Sequence, residues 1–281
     1  MRRLRIIGIL ILFFIALWYL GLYYANIKLS KRSYPSIYNA CDKIWSSRGL
    51  YHTKEEQNSL SAFKRAFDAG AQGAELDFHY DAYKDRFIIS HDHPKKDAEG
   101  HYIYPKKEGE LLTLEMLFKT FGTNHYFWLD YKNLDDLDSA TTQKAIARLH
   151  HITKGSLKKR LYIEGSNPLK LSHYTQAGFK TILGIHPLPE AHPLASITNN
   201  GYKMVFAFSN VSALAMAESK RGKRIYGAQS APIYQGIPLF LFHVQNDEAR
   251  LHNLVLEQDV RVMLVGRDES VARFNISSCK R

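Results

Sequence analysis

The sequence predicts a parallel α/β domain behind one N-terminal transmembrane helix. Three observations predict it. After residue 42, runs with strand character alternate with amphipathic helical runs, the order that crossover connections between parallel strands require. The chain has 281 residues, 45% hydrophobic and 23% charged, which suits one large core. At that length a single barrel of roughly 250 residues fits as well as two smaller domains. Finally, an uninterrupted apolar run from Ile6 to Tyr24 has about the 20 residues that a helix needs to cross a bilayer.

Arg2, Arg3 and Arg5 precede the apolar run, and Lys28, Lys31 and Arg32 follow it. The run is longer than a signal-peptide core, and no small-x-small cleavage site follows it. Trp18, Tyr19, Tyr23 and Tyr24 near its far end suit an interfacial belt. The expectation is an uncleaved anchor over residues 1–32, a polar linker over 33–41 that contains Pro35, and a folded domain over 42–281. The arginines favour a cytoplasmic N-terminus. The domain is then exported, to the periplasmic or extracellular side if the source is bacterial. The net charge of +11 is partly accounted for by the flanks of the anchor. Basic runs remain at Lys106-Lys107, Lys158 to Arg160 and Lys220 to Arg224. No nucleic-acid motif accompanies them, so no nucleic acid is expected. Anionic lipid headgroups or a phosphate substrate account for the charge, with scattered solubilising charge as the alternative.

The elements follow in order. Asp42 to Ser47 reads as a first strand. Asn58 to Ala69 reads as a helix, with Asn58 or Ser59 as cap, Gly70 past its end, and Leu60, Phe63, Ala66 and Phe67 on its apolar face. Ala74 to Phe78 and Arg86 to Ser90 are strands with a polar turn between them. The polar segment Pro94 to Leu112, with Tyr102 and Tyr104, has the position of a lid or recognition insertion. Further strands are expected at Tyr126 to Tyr131, Arg160 to Glu164, Lys180 to Ile185, Lys203 to Phe208, Ile237 to His243 and Arg261 to Val265. Further helices are expected at Thr113 to Phe121, Ser139 to His151, Pro168 to Ala177, Val211 to Ser219, Glu248 to Leu256, and from about Glu269. The strands slightly outnumber eight, so one of them, at Lys203 to Phe208 or Arg224 to Ala228, is a hairpin or an extra edge.

Chemistry concentrates between Ala74 and Pro94. Ala74, Leu76 and Phe78 alternate with Glu75 and Asp77, so both carboxylates share one face of the strand. Paired carboxylates suit Mg²⁺ or Ca²⁺, and His91, at the end of the next strand, is a proton carrier for neutral pH. A solvated strand face is the alternative.

Ser47-Arg48-Gly49, Gln57-Asn58-Ser59, Glu75-Leu76-Asp77 and His91-Asp92 stand in order at fitting spacing. This arrangement resembles the glycerophosphodiester phosphodiesterase family of the phospholipase C-like phosphodiesterase superfamily. That family shows His-Arg-Gly, Glu-Asn-Thr, Glu-x-Asp and His-Asp at these places. Its first histidine is Ser47 here, and its Glu-Asn-Thr glutamate is Gln57. Trp128 to Lys132 looks like the family's fourth strand, with Asp130 and Lys132 in place of Glu-x-Lys. Leu241 to Asp247 resembles the family's penultimate strand only loosely.

The resemblance implies a TIM-type (β/α)8 barrel over 42–281 whose strand ends converge on one site. It implies a metal-dependent phosphodiester hydrolase acting on glycerophosphodiesters or phospholipid-derived headgroups. Glu75, Asp77 and Asp130 would hold one divalent cation, Mg²⁺ or Ca²⁺, while Arg48 and Lys132 hold the phosphate. Catalysis would fall to His91, with Arg48, and to His52 if it replaces the histidine missing at Ser47. His93 is expected at the surface. The alternatives are one sufficient histidine, or an inactive membrane-anchored module that binds phosphate or phospholipid through the same pocket. In an exported barrel, Cys41 before the first strand and Cys279 after the last helix would lie at the same end and pair. Two free thiols are the alternative.

Overall fold

The structure, a computed structural model, describes residues 2–245, 247–265 and 274–279. In chain order it contains α1 (Arg2–Ser30), β1 (Ile44–Ser47), α2 (Leu60–Asp68), β2 (Gly73–Asp81), β3 (Arg86–Ile89), β4 (Lys95–Lys96) and β5 (Tyr102–Ile103). Next come α3 (Leu114–Phe121), β6 (Tyr126–Tyr131), α4 (Ser139–Ile152), β7 (Leu161–Gly165), α5 (Pro168–Gln176), β8 (Lys180–Gly184) and α6 (Ala195–Phe208). The chain ends with β9 (Ala213–Ala217), β10 (Ser219–Lys220), β11 (Lys223–Arg224), β12 (Leu239–Phe242), α7 (Glu248–Leu256) and β13 (Val260–Val265). The helix expected from about Glu269 lies outside the described residues.

Strands β1, β2, β6, β7, β8, β9, β12 and β13 pair in that order, all parallel, and β13 pairs back onto β1. This closes an eight-stranded TIM-like barrel. Side-chain caps start five of its described helices, α6 being the exception: Ser59, Thr113, Asp138, Asn167 and Asp247 each accept a backbone N–H in the first turn.

Alternation along the strands sorts the two cores. Phe78, Leu129, Ile163, Leu183, Leu214, Leu241 and Met263 face the helices. Trp45, Trp128, Tyr162, Ile182, Ala213, Ala215, Phe240 and Val262 form a second cluster that fills the lumen. Gly73 makes that filling workable, because a Cβ there would lie 2.6 Å from the Trp45 ring. Ile37 and Tyr38, in the segment expected as a linker, belong to the lumen cluster. The Tyr38 N–H donates to the Tyr162 hydroxyl at 2.8 Å.

Three sequence expectations are corrected. Lys203 to Phe208 is the second half of α6 and not a strand, with Phe206 and Ala207 buried and Val205 and Phe208 exposed. Val211 to Ser219 contains β9 and not a helix. Its alanines and methionine are good helix formers, but every residue from Ala213 to Ala217 is buried, and small side chains suit a lumen already holding large rings. The extra edge, expected at Lys203 to Phe208 or Arg224 to Ala228, is instead the expected strand Arg86–Ile89, which runs antiparallel to β2 outside the barrel, while Lys223–Arg224 pairs with Ser219–Lys220 in a separate hairpin.

Helix α1 packs its second half on α6. Trp18 and Leu22 are half-buried and Ala25 is fully buried, while Leu29 packs on the core. The Arg32 guanidinium donates to the carbonyls of Phe206, Ala207 and Ser209 at the C-terminal end of α6.

Cys41 and Cys279 are disulfide-bonded, with Cα atoms 5.2 Å apart across 238 positions. The Ser278 N–H donates to the Cys41 carbonyl at 2.9 Å. The bond closes nearly the whole barrel chain, so the chain-entropy model assigns it about 5.5 kcal/mol. Thiol titration of the denatured, unreduced protein should find no free thiols. Reduction should lower the denaturation midpoint by a corresponding amount.

Candidate active site at the barrel mouth

The site grows from β2. This strand runs nine residues and overshoots β1, which stops with Ser47 opposite Glu75. Beyond that point β3 takes over the vacated edge. The Arg48 N–H donates to the Glu75 carbonyl at 2.9 Å, and the Ser90 N–H to the Asp77 carbonyl at 3.0 Å. Consecutive bonds along one edge of β2 therefore bring the end of β1 and the His91 turn together at the mouth. The same alternation that turns Leu76 and Phe78 outward turns Glu75, Asp77 and His79 inward. Parallel register sets Asp130 on β6 opposite Asp77, and Glu164 on β7 opposite Asp130.

Glu75, Asp77 and Asp130 present carboxylate oxygens within 4.8 Å of one another. Asp77 is the hub and has no exposed side-chain surface. It pairs with Arg48 Nε at 2.8 Å, accepts from Asn58 Nδ2 at 2.8 Å, and meets Lys132 Nζ at 2.6 Å. Lys132 also bridges to Asp130. Arg48 further donates to Gln57 Oε1 at 3.3 Å. The Ser47 hydroxyl donates to Glu75 Oε2 at 3.1 Å. Arg48 and Asn58 both adopt left-handed backbone, at φ 59° and 60°, a conformation non-glycine residues rarely take and one frequent at functional sites.

Burial, then the neighbouring Asp77, pushes the Glu75 carboxyl up to about 8, against the opposing pull of Arg48. Burial likewise raises Asp130, with Lys132 opposing. Glu164, buried and repelled by Asp130, is held well above the carboxylate range, although Trp128 Nε1 donates to it at 2.6 Å. Burial works against the charge on Lys132, but Asp130 and Asp77 outweigh it and hold the ammonium above the ordinary lysine range. Four clustered carboxyl groups face two cations, an imbalance that one divalent cation would neutralise. Hard oxygen donors in this number fit Mg²⁺ or Ca²⁺. The Lys132 ammonium now bridges two of them and would have to swing aside.

The other expected residues are placed as follows. His91 is at the mouth, about half exposed, with Nδ1 2.8 Å from Asp92. His93 is at the surface, as expected. His52 lies on the exposed β1–α2 loop, where its backbone N–H donates to Glu56. Neither His52 nor His91 belongs to the carboxylate group.

Two residues escaped the sequence reading. Glu164 had a visible signal, an acidic residue at the end of an expected strand. His79 follows the Glu75–Asp77 alternation by one more step. It is buried beneath the insertion, its ring 5.9 Å from His93 and 6.0 Å from Tyr104. Burial, then repulsion by His93 and Lys132, lowers it to about 4, so it is neutral near pH 7.

No protein-family model matches the sequence, and no curated protein matches it. Solved structures do. A putative glycerophosphodiester phosphodiesterase from Galdieria sulphuraria superposes with a TM-score of 0.56 at 14% identity, over 83% of this chain and 96% of that one. A glycerophosphodiester phosphodiesterase from Agrobacterium tumefaciens gives 0.53 at 16%, over 79% and 95%. A phosphodiesterase from Oleispira antarctica, solved with its product sn-glycerol-3-phosphate, gives 0.51 at 14%, over 80% and 93%. The barrel shares the fold of these structures. At this identity the likeness establishes the fold.

Glu75 supplies a pH test. Between its ordinary range near 4.5 and about 8 the native state keeps a proton that the unfolded chain has released. Stability without a cation should therefore fall as pH rises through that window. A divalent cation competes with the proton, so the rise in melting temperature on adding Mg²⁺ or Ca²⁺ should be larger at pH 8 than at pH 6. Glu75→Gln should remove most of that difference in thermal melts against EDTA.

Proposed function

We propose that the chain is a metal-dependent phosphodiester hydrolase acting on glycerophosphodiesters or phospholipid-derived headgroups, anchored by α1 with the barrel exported. The observation that carries this reading is the grouping of Glu75, Asp77 and Asp130, with Arg48 and Lys132, at the mouth of a barrel of this type. The neighbour solved with sn-glycerol-3-phosphate supports the substrate class. The disulfide supports export, since such bonds persist in oxidising compartments.

In the reaction, water adds across a P–O bond, leaving a phosphomonoester and an alcohol. Glu75, Asp77 and Asp130 would hold the cation, which polarises a phosphoryl oxygen when bound. Arg48 and Lys132 orient the phosphate and oppose the charge that develops on it. Asp77 and Gln57 hold the Arg48 guanidinium in place, and Asn58 in turn holds Asp77. His91, backed by Asp92, exchanges a proton with the attacking water or the leaving alcohol.

A second reading, a binding module without turnover, draws on Ser47. Its hydroxyl is engaged with Glu75 and is no base near neutral pH. Turnover of a chromogenic phosphodiester by the full chain in detergent separates the two. The hydrolase reading expects cation-dependent turnover that Glu75→Gln abolishes and His91→Ala lowers by roughly 10²–10⁴-fold. His52→Ala should cost as much if His52 replaces the missing histidine, and a near-wild-type rate would leave His91 as the sufficient one. Cation binding without turnover in the unmodified chain supports the module.

A further inference from the structure

Helix α1 has a direction relative to the barrel. A Cβ on Gly201 would lie 3.7 Å from the Trp18 ring, and one on Gly21 would lie 3.0 Å from Met204 Sδ. Lys28 Nζ lies 5.3 Å from the Phe208 ring centre. Both residue numbers rise together, so α1 and α6 run parallel. Helix α6 connects β8 to β9 and therefore runs from the mouth of the barrel to its opposite end. The N-terminal half of α1 consequently leaves the barrel on the mouth side.

The length of that free half fixes how far it reaches. Residues 5 to 17, thirteen residues, are all exposed, and Trp18 is the first to be partly covered. Thirteen helical residues span about 20 Å. A hydrocarbon core of about 30 Å needs roughly ten more. The rest of the span must then run beside α6, which starts six positions before Gly201. If α1 crosses a bilayer, the mouth end of α6 lies against or within the near leaflet.

The mouth rim suits that position. Leu194 and Ile197 at the start of α6, Leu169 at the start of α5, and Ile103 in the insertion are exposed by 51–78%. Two basic hairpins flank them. Lys95 and Lys96 on β4 are exposed, as are Lys220 and Lys223 on β10 and β11. The β10–β11 hairpin directly follows β9, and Lys84 at the β2–β3 turn donates to the Tyr102 carbonyl at 2.9 Å, so both hairpins sit at the mouth. Apolar tips amid lysines are the chemistry of an anionic bilayer surface.

We propose that the barrel mouth rests on the membrane through this rim, so that the site opens onto the headgroup layer. The proposal rests on the functional reading only for its consequence, that the substrate is a phosphodiester displayed by the bilayer and not one free in solution. It also requires that α1 stay on the mature chain.

The test places an environment-sensitive thiol label on the full chain in vesicles of phosphatidylglycerol and phosphatidylcholine. Labels go singly at Ile197→Cys and Ile103→Cys on the rim, and at Lys154→Cys, exposed on the turn before β7 at the opposite end. Nitroxide lipids with the quencher near the headgroup should quench the two rim labels at least several-fold more than the Lys154→Cys label. Equal quenching at all three, or stronger quenching at Lys154→Cys, would overturn the proposal, as would a mature chain lacking residues 1–30. This readout needs no turnover, so an inactive protein with quenched rim labels refutes the hydrolase reading and leaves the orientation standing.

Discussion

The site depends on the charge balance around Asp77. A fully buried carboxylate is tolerable only when it is paired and hydrogen-bonded. Asp77 draws Arg48 from the end of β1, Asn58 from the cap region of α2, and Lys132 from beyond β6. Three separate connections are thereby tied to one oxygen pair. The left-handed backbone at Arg48 and Asn58 is the local cost of aiming both side chains at it. Removing one partner would leave buried charge uncompensated, so the mouth is more tightly specified than its loops suggest.

The same balance explains why the carboxyls of Glu75, Asp130 and Glu164 are pushed up from the ordinary carboxylate range. Arg48 and Lys132 are committed to Asp77 and Asp130, and Glu75 and Glu164 face each other's field with little compensation. A cluster arranged in this way favours positive charge beside it, and in the structure the Lys132 ammonium supplies it.

The path of the chain outside the barrel ties α1 to the barrel wall. From the mouth side, α1 descends along α6, Arg32 caps the carbonyls at the far end of α6, and Ile37 and Tyr38 join the lumen core before β1 begins. The disulfide fastens the start of the barrel to the chain's last residues. Helix α1 is thus integrated into the barrel wall through its second half rather than joined to it by a free linker.

By itself the sequence determined the helix of α1, from composition, and the inward face of β2, from a period of two that admits one arrangement of Glu75 and Asp77. It determined most crossover helices through their caps and apolar stripes. It also carried the order of motifs from Ser47 to Asp92, which pointed to this barrel fold although identity to the solved structures named above is only 14–16%. Tertiary structure decided what local patterns leave ambiguous. The Ala-rich β9 is a strand because the lumen needs small side chains there, and residues 203–208 are helical because only one face of them meets the barrel. β3 is an antiparallel edge because β2 outruns β1. Glu164 joins the site through the register of β7 on β6, and His79 is buried by an insertion whose path its own sequence does not reveal. Register, closure and burial depend on residues far apart in the chain, so no window of the sequence contains them.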